Sequence, residues 1–243
     1  MSAAVSLRAD EKPSKPSDDQ IRALLKNLGS EKFAEREQAR TDLMGLPGDS
    51  LEDLRRIVTT DPAPLPAVVA ALHDVVGHLF LKKEGYTPFG AKGQPQWVLG
   101  IPPPSDGPGA DETPRVGFPI TSLMPGLPSY QYLRIGDLVT GVYIRPDLPI
   151  SRTPNMPTRT WTDFRTGIDG ARTYSGGKIP PVVDMQVLRN GETIRVTVPM
   201  APKPADDDDT PSSRQTFQAA RAERAERYWH EKFAVPLKLV GAD

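Results

Sequence analysis

Three histidines, one Ser-Gly-Gly triplet, one Gly-Lys pair and one run of four aspartates are the places where this sequence could do chemistry. Each falls short of what that chemistry needs. His73 and His78 stand five positions apart, about 140° around a helix, so they do not converge on one metal ion. They read as surface or partly buried helix residues. His230 sits beside Glu231 near the end of the last helical stretch, where a contact with the helix C-terminus accounts for it. Tyr174-Ser175-Gly176-Gly177 echoes a serine nucleophile loop without its surroundings and reads as a flexible loop. Gly177-Lys178 is no phosphate loop: Arg172 stands where the first glycine belongs, and Ile179 where Ser or Thr is required. Asp206–Asp209 lacks the glycine and carbonyl spacing of a calcium loop and reads as a solvated spacer. Arg134 and Lys178 can offer charge to a carboxylate; their plainer reading is surface charge. The chain has no cysteine, which excludes thiolate nucleophiles, disulfides, Fe–S clusters and zinc ribbons. The reading is of a non-catalytic protein with no cofactor and no metal.

Composition narrows the class further. The 243 residues suit one large domain or two small ones. A net charge of −1 argues against a nucleic-acid footprint and a polybasic membrane patch. No apolar run reaches the length of a transmembrane segment. Proline supplies 27 of the 243 residues, about twice the usual ~5% share, which predicts long irregular loops. Two readings of Met1–Ser17 stand. One is a disordered polar terminus. In the other, small and apolar Ser2–Ala9 followed by polar Asp10–Ser17 is the end of a secretory signal. The second places the protein in the periplasm or cell envelope, the first in the cytoplasm.

The elements come next. Ile21, Leu24, Leu25 and Leu28 recur at helical spacing, with Asp18 or Asp19 as cap and Gly29 as stop. Ser30 is expected to cap a second helix carrying Phe33, Arg36, Ala39 and Leu43, which Gly45–Gly48 ends. Asp49 or Ser50 caps a third, with Leu51, Leu54 and Ile57. A fourth runs from about Leu65 to Lys83, so densely apolar that it must touch more than one partner. Asn27–Leu46 resembles one unit of a HEAT-like helical repeat, and Leu51–Val76 a diverged second. Two units are fewer than the ~3 a solenoid needs, so this part is expected to lean on another domain.

After a linker the period changes to two. Candidate strands are Trp97–Ile101, Gly117–Leu123, Leu138–Ile144, Val182–Arg189 and Thr193–Met200, with a short helix at Trp161–Asp169. Asn190-Gly191 predicts a tight type I′ hairpin between the last two strands. Ala201–Ser213 reads as linker, and Ser213–Phe233 as a final helix docked on the body.

Five pieces within residues 97–200 resemble, in order, a PDZ domain of the kind found in bacterial HtrA-type proteases. They are Trp97-Val98-Leu99-Gly100-Ile101, Gly117–Leu123, Met124–Ser129, Leu133-Arg134-Ile135-Gly136-Asp137-Leu138-Val139 and Val187–Glu192. The third resembles that family's Pro-Gly turn, the fourth its Leu-x-x-Gly-Asp motif, and the last its closing hairpin. Gly136 suits a positive φ, and Asp137 can bond an N–H two residues on. Gly100 lets a backbone approach a ligand closely, and the N–H groups of Leu99, Gly100 and Ile101 can form an anion nest. The resemblance implies that these three bind a peptide carboxylate, with Phe118, Ile120, Phe164 and Ile168 lining the side-chain pocket. Three departures stand out. Pro102, Pro103 and Pro104 remove N–H donors from the strand that a peptide would pair with. Gln131-Tyr132-Leu133 shortens the helix before the Gly-Asp turn. Arg145–Thr160 and Gly170–Pro181 are long inserts beside the groove helix.

The expected fold class is α+β: a small helical domain (18–85), a PDZ-like β-rich domain (95–201), an acidic linker (202–213), and a C-terminal helix and tail (214–243). The expected function is binding a protein or peptide C-terminus as an adaptor or scaffold. Two alternatives are a structural protein with a self-occluded groove, and a substrate-binding accessory subunit of a separate protease.

Overall fold

Ser17 starts the first helix, α1 (Asp18–Leu28). Its hydroxyl accepts from the Gln20 N–H at 3.2 Å, and Gln20 Oε1 accepts from the Ser17 N–H at 2.8 Å. The cap is thus one residue ahead of the aspartates expected to serve; Asp18 and Asp19 instead place negative charge in the first turn. Ser17→Ala is expected to lower stability by about 1 kcal/mol, read as a lower urea midpoint at unchanged slope.

The computed structural model describes residues 16–61, 66–83, 97–102, 116–144, 154, 156–173, 181–202 and 211–239. The first fifteen residues, Pro103, Pro104, Tyr174–Lys178 and Asp206–Asp209, all singled out above, lie outside them, as does most of both inserts.

Three more helices follow α1: α2 (Phe33–Gly45), α3 (Leu51–Thr60), entered through a 3₁₀ turn at Gly48–Ser50, and α4 (Pro66–Lys83). Ser30 does not cap α2. The N-cap is Lys32, which makes no side-chain cap bond, and the Ser30 hydroxyl binds the Glu35 carboxylate at 2.6 Å. Phe33, expected on the apolar stripe, is 58% exposed, because α2 turns Ala39, Leu43 and Met44 inward instead. At the far end of α2 the Lys82 ammonium donates to the carbonyls of Met44, Gly45 and Leu46 at 3.2–3.3 Å. That satisfies the orphan acceptors of the helix terminus. α4 buries Leu72, Val75, Val76 and Leu79 completely and packs against α1, α2 and α3, so its dense apolar surface is used all round.

The β-rich part runs β1 (Trp97–Val98), β2 (Phe118–Pro119), α5 (Pro128–Tyr132), β3 (Leu138–Tyr143), β4 (Met156–Pro157), α6 (Trp161–Thr173), β5 (Val182–Arg189), β6 (Glu192–Pro199) and β7 (Ala201–Pro202). β5 and β6 pair antiparallel over their full lengths. Asn190 (φ 51°) and Gly191 (φ 84°) both take the left-handed conformation that the type I′ turn requires. β3 is central: β5 takes one edge, and β2 and β4 follow one another along the other. The β3–β5 register shifts between Val139 and Gly141, leaving Thr140 as the extra residue, its hydroxyl 3.0 Å from Gln186 Oε1.

The expected strand Gly117–Leu123 shrinks to two residues. Ile120 leaves the ladder for the turn beside it: its N–H donates to the Asp137 carbonyl and its carbonyl accepts from Gly136, both at 2.8 Å. Trp97–Ile101 also shrinks to two residues, and Ala201–Pro202, expected as linker, pairs with it as a separate two-stranded ribbon.

α7 (Pro211–Trp229) continues into a π-helical turn at His230–Ala234 and docks on α4. Tyr228 stacks on Phe80 with ring centroids 4.5 Å apart, while Trp229, Phe233 and Ala234 are buried in the core formed by α1–α4. One hydrophobic cluster thus unites residues 21–79 with the C-terminal helix, and a second unites residues 99–200. The described residues form an α+β structure of helices and antiparallel sheet.

Candidate functional site

The Leu133–Val139 motif is held by its aspartate. Gly136 (φ 94°) makes the turn. Asp137, only 2% exposed, accepts from the Arg134 N–H at 2.8 Å and from Arg189 Nε and Nη2 at 2.8 and 2.6 Å. The side chain therefore reaches three residues back rather than two forward. Its main partner is an arginine from the closing hairpin, bound through both carboxylate oxygens. Arg189 also donates to the Tyr132 carbonyl at 2.9 Å, so one guanidinium ties α5, the Gly-Asp turn and β5 together.

The Leu99–Ile101 loop lies against the neighbouring turn, residues 124–130. The Leu99 carbonyl accepts from the Ser129 N–H at 3.0 Å, and the Gly100 carbonyl from the Met124 N–H at 2.9 Å. In a trans peptide the following N–H points opposite to the carbonyl. The N–H groups of Gly100 and Ile101 therefore both face away from the turn. Gly100 has φ 88°, the left-handed residue from which a backbone nest is built. A Cβ there would lie 2.3 Å from Leu127 Cβ, so glycine is required for close approach to the chain's own leucine, not to a ligand.

The seven residues singled out for binding come together. Leu99, Phe118, Ile120 and Phe164 are buried in one cluster, Ile101 and Ile168 pack against it half-buried, and Gly100, between Leu99 and Ile101, is itself buried. Phe118 stacks on Phe164 at 4.9 Å. Trp161, which periodicity alone did not single out, tilts over both at 5.4 and 5.8 Å. Its signal was available: it opens α6 one turn before Phe164. Ile101, Trp161 and Ile168 are among the apolar side chains still partly open against this cluster, together with Leu123 and Met156. Pro102, half-buried, follows directly.

A polar interface joins the helical and β-rich parts behind the loop. His78 is 1% exposed, deeper than the surface or partly buried position expected, and its Nδ1 accepts from the Gly126 N–H at 3.1 Å. Burial, reinforced by Lys82, Arg40 and Arg221, lowers its pKa to about 3, so the ring is neutral. It stacks on Tyr130 at 5.6 Å. The Tyr130 hydroxyl donates to Asp74, which Arg40 Nε also meets at 2.8 Å; burial and Asp74 push the phenol above its usual range. Arg134 is not a free surface cation: it pairs with Glu37 and donates to Thr41 Oγ1 at 3.0 Å. Gln131 reaches the Thr41 carbonyl at 3.1 Å. A cleft of about 310 Å³ remains between the parts, bordered by His78, Lys82, Leu127 and Gln131.

His73 takes no part in this. It pairs with Glu226 at 2.8 Å and meets Trp229 edge-on. Among the described residues no cluster of three or more His, Asp or Glu could hold a metal ion, and no helix is long and apolar enough to cross a membrane. Neither a protein-family model nor a curated protein nor a solved structure matches the chain.

Proposed function

We propose that the protein is a non-catalytic adaptor or scaffold that holds a polypeptide C-terminus in a PDZ-like manner, its carboxylate on the Gly100 and Ile101 N–H groups. One observation carries this reading: two successive amides, set by a left-handed glycine, face away from the turn that occupies both carbonyls. Such a pair suits a carboxylate, and bonds to a charged acceptor are worth about 1.5–3 kcal/mol each. Ile101, Trp161 and Ile168 offer the neighbouring apolar contact. Pro102 has no N–H, so a ligand strand finds no donor there and leans more heavily on its carboxylate.

Binding of a C-terminal peptide library, each member as free acid and as amide, tests this. Tight binding is expected for some acids, with a loss of about tenfold or more on amidation and abolition by Gly100→Glu. No carboxylate-dependent binding anywhere in the library overturns the reading. A second reading, a structural domain whose groove is filled from within, is favoured by the burial of Phe118, Ile120 and Phe164. The same library decides between the two.

A further inference from the structure

We infer that His78 is a positioning residue for the Leu99–Ile101 loop: through its bond to Gly126 it fixes the turn on which that loop is laid. The inference rests on the reading above for the loop's role and on geometry alone for the coupling.

The 124–130 turn is held on two sides by different parts of the protein. On the loop side, Met124 and Ser129 donate to the carbonyls of Gly100 and Leu99, and Leu127 fills the space beside Gly100. On the helical side, Gly126 donates to His78 of α4, the Pro125 carbonyl accepts from Arg221 of α7 at 3.2 Å, and Tyr130 donates to Asp74 of α4. Gly126 has φ 82°, and glycine alone has wide freedom in that region. That conformation belongs to the Pro125-Gly126 turn, which the Leu127 N–H closes on the Met124 carbonyl at 3.2 Å; the bond to a fully buried acceptor fixes where the turn sits against α4. His78 suits the task because it is neutral, is clamped by stacking on Tyr130, and stands on the helix at the centre of the helical core. Loosening it frees Gly126, and with Gly126 the two donors that orient the loop's amides.

Amide exchange resolved by NMR on the full chain tests this, alongside the acid-over-amide binding ratio. His78→Leu removes the acceptor, and His78→Asn keeps one at the same distance from Cβ. His78→Gln keeps one a bond further out, for comparison if the Leu variant does not fold. Exchange of the Met124, Gly126 and Ser129 amides is expected to rise about tenfold or more in the Leu or Gln variant, with the β5–β6 hairpin unchanged. The Asn variant is expected to restore most of the protection. The acid-over-amide ratio should fall towards one and recover in step. Unchanged exchange at Met124 and Ser129, or an Asn variant no better than Gln, overturns the inference. If exchange responds while the wild type never distinguishes acid from amide, the coupling stands and the ligand reading fails. If the wild type discriminates and the variants leave both readouts unmoved, the ligand reading stands and the coupling fails.

Discussion

Asp137→Ala is expected to destabilise the protein by about 3–5 kcal/mol, the range for breaking a buried ion pair from one side. The carboxylate is 2% exposed and accepts three hydrogen bonds, two of them from Arg189. Its removal leaves a guanidinium three-quarters buried and the Arg134 N–H without its acceptor. The backbones of Gly136 and Asp137 also bond that of Ile120, so the edge at β2 should loosen with the turn. Urea denaturation reads the effect as a lower midpoint at unchanged slope. A loss under about 1 kcal/mol, the size of a surface pair, would mean that the Asp137–Arg189 link does not organise the β-rich part.

Mild acid is expected to weaken the fold through His78. Its folded pKa lies near 3 against an unfolded value of 6.5, depressed first by burial and then by Lys82, Arg40 and Arg221. Below 6.5 the unfolded chain therefore binds a proton that the folded protein refuses. The stability is fully present above pH 6.5 and is lost progressively as pH falls towards 3. Between pH 7 and 5 the loss attributable to this one group is about 2 kcal/mol. A carboxylate titration would begin lower, and the comparison with His78→Asn separates His78 from the two other histidines of the chain. Urea midpoints at pH 7, 6 and 5 should fall in the wild type and fall much less in His78→Asn. Equal pH slopes in the two proteins would contradict a buried, neutral His78.

What the sequence made legible was local. The spacing of Val68, Leu72, Val75 and Leu79 located α4 to within a residue at its start, because a buried helix repeats its pattern over several turns. Asn190-Gly191 located the β5–β6 hairpin, because few residue pairs tolerate two successive left-handed conformations. Gly136 could be read as a turn for the same reason. Pairings between distant segments were not legible. Nothing in Ala201–Pro202 announces a partner at Trp97–Val98, since a two-residue strand has no period. Phe33 looked like core because it shares a helix with Ala39 and Leu43, and packing of α2 against both α1 and α4 selects the face that carries those two. The loop residues Leu99, Gly100 and Ile101 were visible as a motif. The turn behind them was visible only as a Pro-Gly sequence, and its anchoring to His78, Asp74 and Arg221 depends on how two layers meet. A histidine on an apolar helix gives no sign in sequence of which atom it presents, or to what.

The most direct measurement of the central claim is a ¹⁵N NMR titration of the full chain with one short peptide bearing an apolar C-terminal residue, as free acid and as amide. The account predicts that the Gly100 and Ile101 amide signals move downfield with the acid, as amides do on gaining a charged acceptor, and stay in place with the amide. Signals at those two residues that ignore the acid, or respond equally to both peptides, would contradict a carboxylate site on this loop.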